Sequence, residues 1–288
     1  MQTTRLGIVE YLNTIPLIEG FAGTAGLELT RAVPSRIIDL LLRREVDLGL
    51  ISLIDAARAP DPVAILPVGM IGCDGPTLTV RLFSAVPIEQ TARVHADTDS
   101  HTSVTLAKIL LKRRHGLTPE FVDYDARERM AGRGVEPNIT PDESWPQTVL
   151  LIGDKVVSDC PPAVRYPHQL DLGNAWHDLT GLPFVYAVWA CPADRADDPA
   201  IHAAAALLDR ARRRNHARLD HIATRHAHNH GWPQDLASDY IGRLLRYDFD
   251  DRATEAARTF LRMAEEAGLA PRCNPKIVEI RDFVPTPG

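Results

Sequence analysis

The chain has 288 residues, 45% of them hydrophobic and 24% charged, and its 32 Lys and Arg against 38 Asp and Glu give a formal net charge of -6. That balance is ordinary for a globular chain and leaves enough apolar material for one large domain or two smaller ones. The acidic surface argues against nucleic acid or anionic lipid as partners, and no run of about twenty apolar residues offers a membrane span.

Leu6-Gly7-Ile8-Val9 predicts a first strand, and Asn13, Thr14 and Pro16 follow where that strand hands over to a helix. Open α/β sheets bind small ligands at this carboxyl edge. A neutral amide there suits a substrate gripped by hydrogen bonds, although Asn and Pro are also ordinary turn residues. Leu27 to Val33 alternates apolar with polar and predicts a second strand. Pro34-Ser35 opens a helix carrying Ile37, Ile38, Leu40, Leu41 and Leu42, with Ser35 as its cap. Val46 to Leu53 has the composition of a buried strand and carries Ser52 near its end. This strand–helix–strand rhythm predicts a parallel sheet with crossover helices.

Cys73-Asp74-Gly75-Pro76 is turn chemistry. It feeds a strand from Leu78 to Ser84, on which Thr79 meets a ligand if the register turns it toward a cleft. Arg93 to Ala96 predicts a short strand. The polar turn Asp97-Thr98-Asp99-Ser100-His101-Thr102-Ser103 then leads into a helix through Leu106, Ala107, Leu110 and Leu111 that ends at Gly116. Ser100, Thr102 and Ser103 bring hydroxyls to a first turn whose N–H groups lack partners and whose dipole favours an anion. Simple capping is the commoner use of such residues. The stretch Gly132 to Pro146 predicts a surface loop. Val149 to Asp154 is a strand stopped by a carboxylate that either caps a helix or orients a ligand. Phe184 to Ala190 is a late strand, and helix dominates from Pro199 onward. Residues 1–86 with 185–288 thus predict a first α/β lobe with a helical C-terminal return. Residues 87–184 predict a second, inserted lobe, with a ligand cleft at the hinge between them.

Cys73, Cys160, Cys191 and Cys273 lie far apart, with no Cys-x-x-Cys pair. Neither a zinc site nor a disulfide framework is suggested, and reduced thiols in a cytoplasmic protein are expected. Met1 to Arg5 and the apolar stretch cut short by Glu10 do not read as an export signal. His226 and His230 are spaced i, i+4, but no Glu follows His226 and arginines surround the cluster, so a solvated basic face is expected in place of a metal site. The run Arg210 to Arg214 reads the same way. Gly-x-Ser-x-Gly, Gly-Lys-Ser/Thr and Gly-x-Gly-x-x-Gly signatures are absent, which weakens serine-hydrolase, nucleotide and flavin readings.

Seven segments, in order along the chain, carry a more specific signal. They are Tyr11 to Leu17, Glu45 to Ser52, Gly72 to Pro76, Leu82 to Pro87, Ser100 to Val104, Leu151 to Asp154 and Thr180 to Ala190. Together they resemble the chorismate dehydratase family of the futalosine route to menaquinone. The C-terminal third matches only as a helical pattern, and the family usually carries Arg where this chain has His101.

The resemblance implies a two-lobed type II periplasmic-binding-protein-like fold, with a hinge and an interlobe cleft. It implies conversion of chorismate to 3-[(1-carboxyvinyl)oxy]benzoate and water, with chorismate as the small-molecule partner and no cofactor. Chorismate carries two carboxylates and a hydroxyl on a cyclohexadiene ring. Proton loss beside the enolpyruvyl ether, then loss of hydroxide, yields a benzene ring. On that chemistry Asn13 is expected as the catalytic residue, with Ser52, Thr79, Ser100, Thr102, Ser103 and Asp154 holding the substrate. No side chain presents itself as the base, and the substrate's own enolpyruvyl carboxylate is able to take the proton. The alternatives are a non-catalytic receptor of the same fold, which normally carries an export signal, and the sister enzyme that makes dihydroxynaphthoate, whose N-terminal motif differs. A regulator's effector domain would need a helix-turn-helix before the first strand, where only about five residues stand.

Overall fold

A computed structural model of the chain describes residues 3–126, 145–272 and 275–278. Of the predicted loop 132–146, only Trp145 and Pro146 fall within them. The strands, in chain order, are β1 Thr4–Ile8, β2 Leu27–Arg31, β3 Leu48–Ser52, β4 Val63–Cys73, β5 Val80–Ser84, β6 Arg93–Asp97, β7 Glu120–Tyr124, β8 Thr148–Ile152, β9 His168–Asp171, β10 Phe184–Pro192, β11 Leu245–Arg246 and β12 Lys276–Ile277. They form two sheets. One runs β11-β4-β10-β3-β1-β2 with β12 beside β4, and the other runs β7-β6-β8-β5-β9. The first sheet pairs β1 parallel to β2 and β3, then takes β10 antiparallel between β3 and β4. No helix among the described residues is long and apolar enough to cross a membrane.

Local sequence explains the first layer. All five residues of β3 are buried, as expected for a strand covered on both faces. The helix Pro34–Leu42 lays Ile37, Ile38 and Leu41 against this sheet. It sits so close that a β-carbon on Gly49 would lie 2.8 Å from Ile37 Cγ2. Pro34 opens the helix, and Val33 holds the cap position without a side-chain bond. Ser35 is therefore inside the first turn and not the predicted cap; its N–H donates to the Asp99 carbonyl of the other lobe at 3.1 Å.

Two elements correct the sequence reading. Strand β4 escaped it because Pro67 and Gly69 interrupt an apolar run. The ladder solves this by skipping them. Leu66 pairs with Trp189 and Met70 with Val188, which leaves residues 67–69 in a bulge where Pro67 has no donor to supply. Strand β5, placed in the first lobe by the predicted boundary at residue 86, instead pairs on both sides within the second sheet, to β8 and β9. The chain first crosses between sheets over residues 74–79, before β5 and not after it. The turn residues from Asp74 to Pro76 are the crossing itself, and Leu78 takes a left-handed φ of 66° there. The return crossing follows β9 through the helix Leu172–Thr180 to β10.

Candidate active site

The two sheets face one another across a cleft whose wall includes Tyr11, Asn13, Ser52, Thr77, Thr79, Ser100, Ser103, Gly153, Tyr186 and Tyr240. No Asp, Glu, Lys, Arg or His is among the described residues lining it. Unfilled space amounts to about 520 Å³ counted to its mouth, but only about 50 Å³ of that takes the centre of a water-sized group. The lobes thus meet closely around a narrow slot.

Asn13 occupies the short turn Leu12–Thr14 just past β1. Thr14 Oγ1 donates to its Oδ1 at 3.3 Å, and its Nδ2 donates to the Tyr240 hydroxyl at 3.3 Å. The same hydroxyl lies 2.7 Å from Thr79 Oγ1. Ser52 closes β3 opposite Ala187 of β10. Ser100 is both a cap and a cleft residue. Its Oγ accepts the Ser103 N–H at 3.2 Å and donates to Ser103 Oγ at 2.9 Å. That leaves the Ser103 hydroxyl proton for the cleft. Both serines sit at the start of the helix His101–His115, whose N-terminus adds an anion-favouring dipole to an otherwise uncharged wall.

Beneath that helix start lies a buried ionic group. Lys155 Nζ sits 2.6 Å from both Asp97 Oδ2 and Asp99 Oδ2, and the Tyr11 hydroxyl donates to Asp99 Oδ2 at 2.8 Å. Burial pushes the Asp97 carboxyl above the usual carboxylate range. The Tyr11 ring lies flat against residue 153, which turns with φ 67°; a β-carbon there would lie 3.0 Å from the ring, so only Gly fits. Burial also raises the Tyr240 and Tyr186 phenols and moves the Cys73 thiol up to about 12. Tyr186 and Tyr240 are thus neutral phenols at physiological pH.

Five of the seven predicted site residues, Asn13, Ser52, Thr79, Ser100 and Ser103, share this cleft. Thr102 and Asp154 do not. The Thr102 hydroxyl accepts the Ile54 N–H at 3.1 Å and so stitches the two lobes together behind the wall. The Asp154 carboxylate is fully engaged: Oδ2 accepts the Leu12 N–H at 3.2 Å and bonds His230 Nδ1 at 2.9 Å, and Oδ1 accepts the Trp232 indole N–H at 3.0 Å. It braces one lobe against the other and is not among the residues lining the cleft. His101 also faces away, with Nδ1 2.8 Å from Asp55 Oδ1. His226 is not solvated as expected either. It bonds Glu19 at 3.0 Å, so His226 and His230 serve two separate carboxylates. Tyr240 was missed, along with Thr77 and Tyr186. Tyr240 opens a π-helical segment, Tyr240–Leu244, a distortion frequent at functional sites that leaves no mark in residue spacing.

Two sheets joined by two crossings around an interlobe cleft define a two-lobed α/β protein of the periplasmic-binding-protein-like fold. The chain matches AF1704 from Archaeoglobus fulgidus with TM-score 0.70 and 15% identity, covering 93% of this chain and 98% of that one. It matches the periplasmic aliphatic sulphonate binding protein SsuA from Escherichia coli with TM-score 0.60 and 15% identity, covering 94% of each. Such low identities speak for the fold alone. Sequence goes further. The family model described as menaquinone biosynthesis matches residues 4–266. The chorismate dehydratase of Thermus thermophilus is 32% identical over 278 residues, 92% of this chain and 95% of the relative. That of Campylobacter jejuni is 27% identical over 187 residues, 65% of this chain and 62% of the relative. The chain belongs to the chorismate dehydratase family of menaquinone biosynthesis.

Proposed function

We propose that the chain converts chorismate to 3-[(1-carboxyvinyl)oxy]benzoate and water, as a carbon–oxygen lyase that needs no cofactor. The observation that carries this reading is the wall of amide and hydroxyl groups between the lobes, built in a chain of this family and seated on a helix N-terminus. Proton loss gives an anion delocalised onto the ring carboxylate, and departure of hydroxide then creates the benzene ring. Aromatisation supplies the driving force, and no electrons are exchanged with another molecule. The wall's task is to hold the dianion and to donate where charge grows.

In this reading Asn13 orients the leaving hydroxyl, or the enolpyruvyl carboxylate that takes the ring proton. Thr79 and Ser103 donate to carboxylate oxygens, with Ser100 and Ser52 beside them. An uncharged wall fits a substrate that brings its own base, since no protein carboxylate then competes with its negative charge. The free thiols Cys73, Cys160 and Cys191 support placing the enzyme in the reducing cytoplasm.

Mixing purified protein with chorismate and following the dienol absorbance tests the reading. Catalytic loss of chorismate with appearance of the benzoate product is expected. Calorimetric binding of chorismate without its loss would instead mark the chain as a receptor.

A further inference from the structure

Tyr240 lies in the C-terminal third and lines the cleft, yet its hydroxyl is engaged with two protein groups. The direction of those bonds can be derived. An amide NH₂ only donates, and Asn13 turns its Nδ2 toward Tyr240 and its Oδ1 toward Thr14. The Tyr240 oxygen therefore accepts from Asn13. Its own proton has one acceptor within reach among the described residues, Thr79 Oγ1 at 2.7 Å. Were Thr79 to donate instead, the phenol oxygen would accept two bonds and its more acidic proton would have no protein acceptor among the described residues, although a phenol is the better donor and an aliphatic hydroxyl the better acceptor. Thr79 Oγ1 has no other hydrogen bond among the described residues, and its proton is left for the cleft.

We infer that Tyr240 is a positioning residue: it polarises the Asn13–Tyr240–Thr79 chain in one sense, so that Thr79 meets the substrate as a donor to an anionic oxygen. This rests on the proposed dehydratase reading and deepens it, because the ring carboxylate gains charge as the proton leaves. The chain is also tied to lobe closure. Tyr240 stacks on Trp232, with centroids 4.7 Å apart and planes at 15°. The Trp232 indole donates to Asp154 of the opposite lobe. The hydroxyl is thereby aligned by the contact that draws the lobes together.

A double-mutant cycle with Tyr240→Phe and Thr79→Val tests the inference in two readouts. In chorismate turnover, each single variant is expected to lose roughly tenfold in kcat, about the effect of one charge-assisted hydrogen bond, with KM within about twofold. The double variant is expected to be no worse than Thr79→Val alone, because Tyr240 acts only through Thr79. A merely structural Tyr240 would multiply the two losses, and either that result or a fully active Tyr240→Phe overturns the inference. The second readout is affinity for 3-[(1-carboxyvinyl)oxy]benzoate by calorimetry, which needs no turnover. If the unaltered chain leaves chorismate intact, the dehydratase reading fails by itself, and coupled against independent losses of affinity still decide whether Tyr240 acts through Thr79.

Discussion

The carboxylate of Asp171 accepts the backbone N–H of Thr77 at 3.0 Å. It thereby fastens one interlobe crossing to the residue that begins the other. Its Oδ2 also accepts the Leu78 N–H at 2.8 Å, and its Oδ1 caps the helix Leu172–Thr180 through Gly173 and Asn174 at 3.0 and 3.1 Å. Four backbone donors converge on one carboxylate. Asp171→Ala is expected to destabilise the protein by about 2–4 kcal/mol, a lost cap plus donors left without an acceptor. Asp171→Asn keeps one acceptor oxygen and should cost roughly half as much. Urea unfolding measures both, and an alanine variant as stable as the parent would mean that water replaces the carboxylate freely.

The parts legible in the sequence are those with a local cause. Asn13 and Ser52 stand at the carboxyl ends of strands, and Ser100 and Ser103 at a helix start, so neighbours in the chain point to them. Thr102 and Asp154 look the same locally, but their partners are remote: Ile54 is 48 residues from Thr102, and Leu12 is 142 from Asp154. A polar residue at a strand end reads alike whether it faces a ligand or a distant N–H. Strand β9, His-Gln-Leu-Asp, has no apolar run at all and is a strand only because β5 lies beside it. Tyr240 shares that limit, since its role depends on Asn13, 227 residues away.

Thr102 and Ser103 are adjacent and chemically alike, which makes them a sharp comparison. Thr102→Val removes the acceptor of the buried Ile54 N–H and should cost about 1–3 kcal/mol of stability, with KM for chorismate little changed. Ser103→Ala removes a donor to the cleft. A hydrogen bond to a charged group is worth about 1.5 kcal/mol or more, so roughly tenfold weaker binding is expected, with little change in stability. Urea unfolding and steady-state kinetics on the pair decide it; a tenfold rise in KM for Thr102→Val would return that hydroxyl to the binding set.

His101 and Asp55 join the two lobes outside the cleft. The hydrogen bond to Asp55 raises His101 above the ordinary histidine value of about 6.5, against the opposing effect of burial. The imidazolium is thus favoured more in the folded than in the unfolded chain. A raised folded pKa contributes stability that is complete below the unfolded value and disappears as pH climbs through the folded one. The stability difference between the parent and His101→Gln should therefore be widest below the ordinary histidine value and shrink as pH rises above it. Thermal unfolding on both sides of that value tests this, and a difference that stays flat with pH would show that the contact works without the charge.

Asn13 is the most consequential substitution, because it both faces the cleft and starts the chain through Tyr240 to Thr79. Asn13→Ala leaves a hole and an unanchored phenol. Loss of a donor aimed at developing charge is expected to lower kcat about 100-fold, or ~2.7 kcal/mol. Asn13→Asp is nearly isosteric but reverses the chemistry. A carboxylate accepts where the amide donated, so the Tyr240 proton turns toward residue 13 and Thr79 loses its imposed direction. It also sets a negative charge beside a dianion in a wall where no described residue is a cation to offset it. Asn13→Asp should therefore bind the benzoate product more weakly than Asn13→Ala does, although it changes the shape less. Calorimetry with the product separates the two effects. Tighter binding by the aspartate variant would show that shape and not charge governs this corner of the cleft, and unchanged kcat and KM in Asn13→Ala would remove the residue from the mechanism.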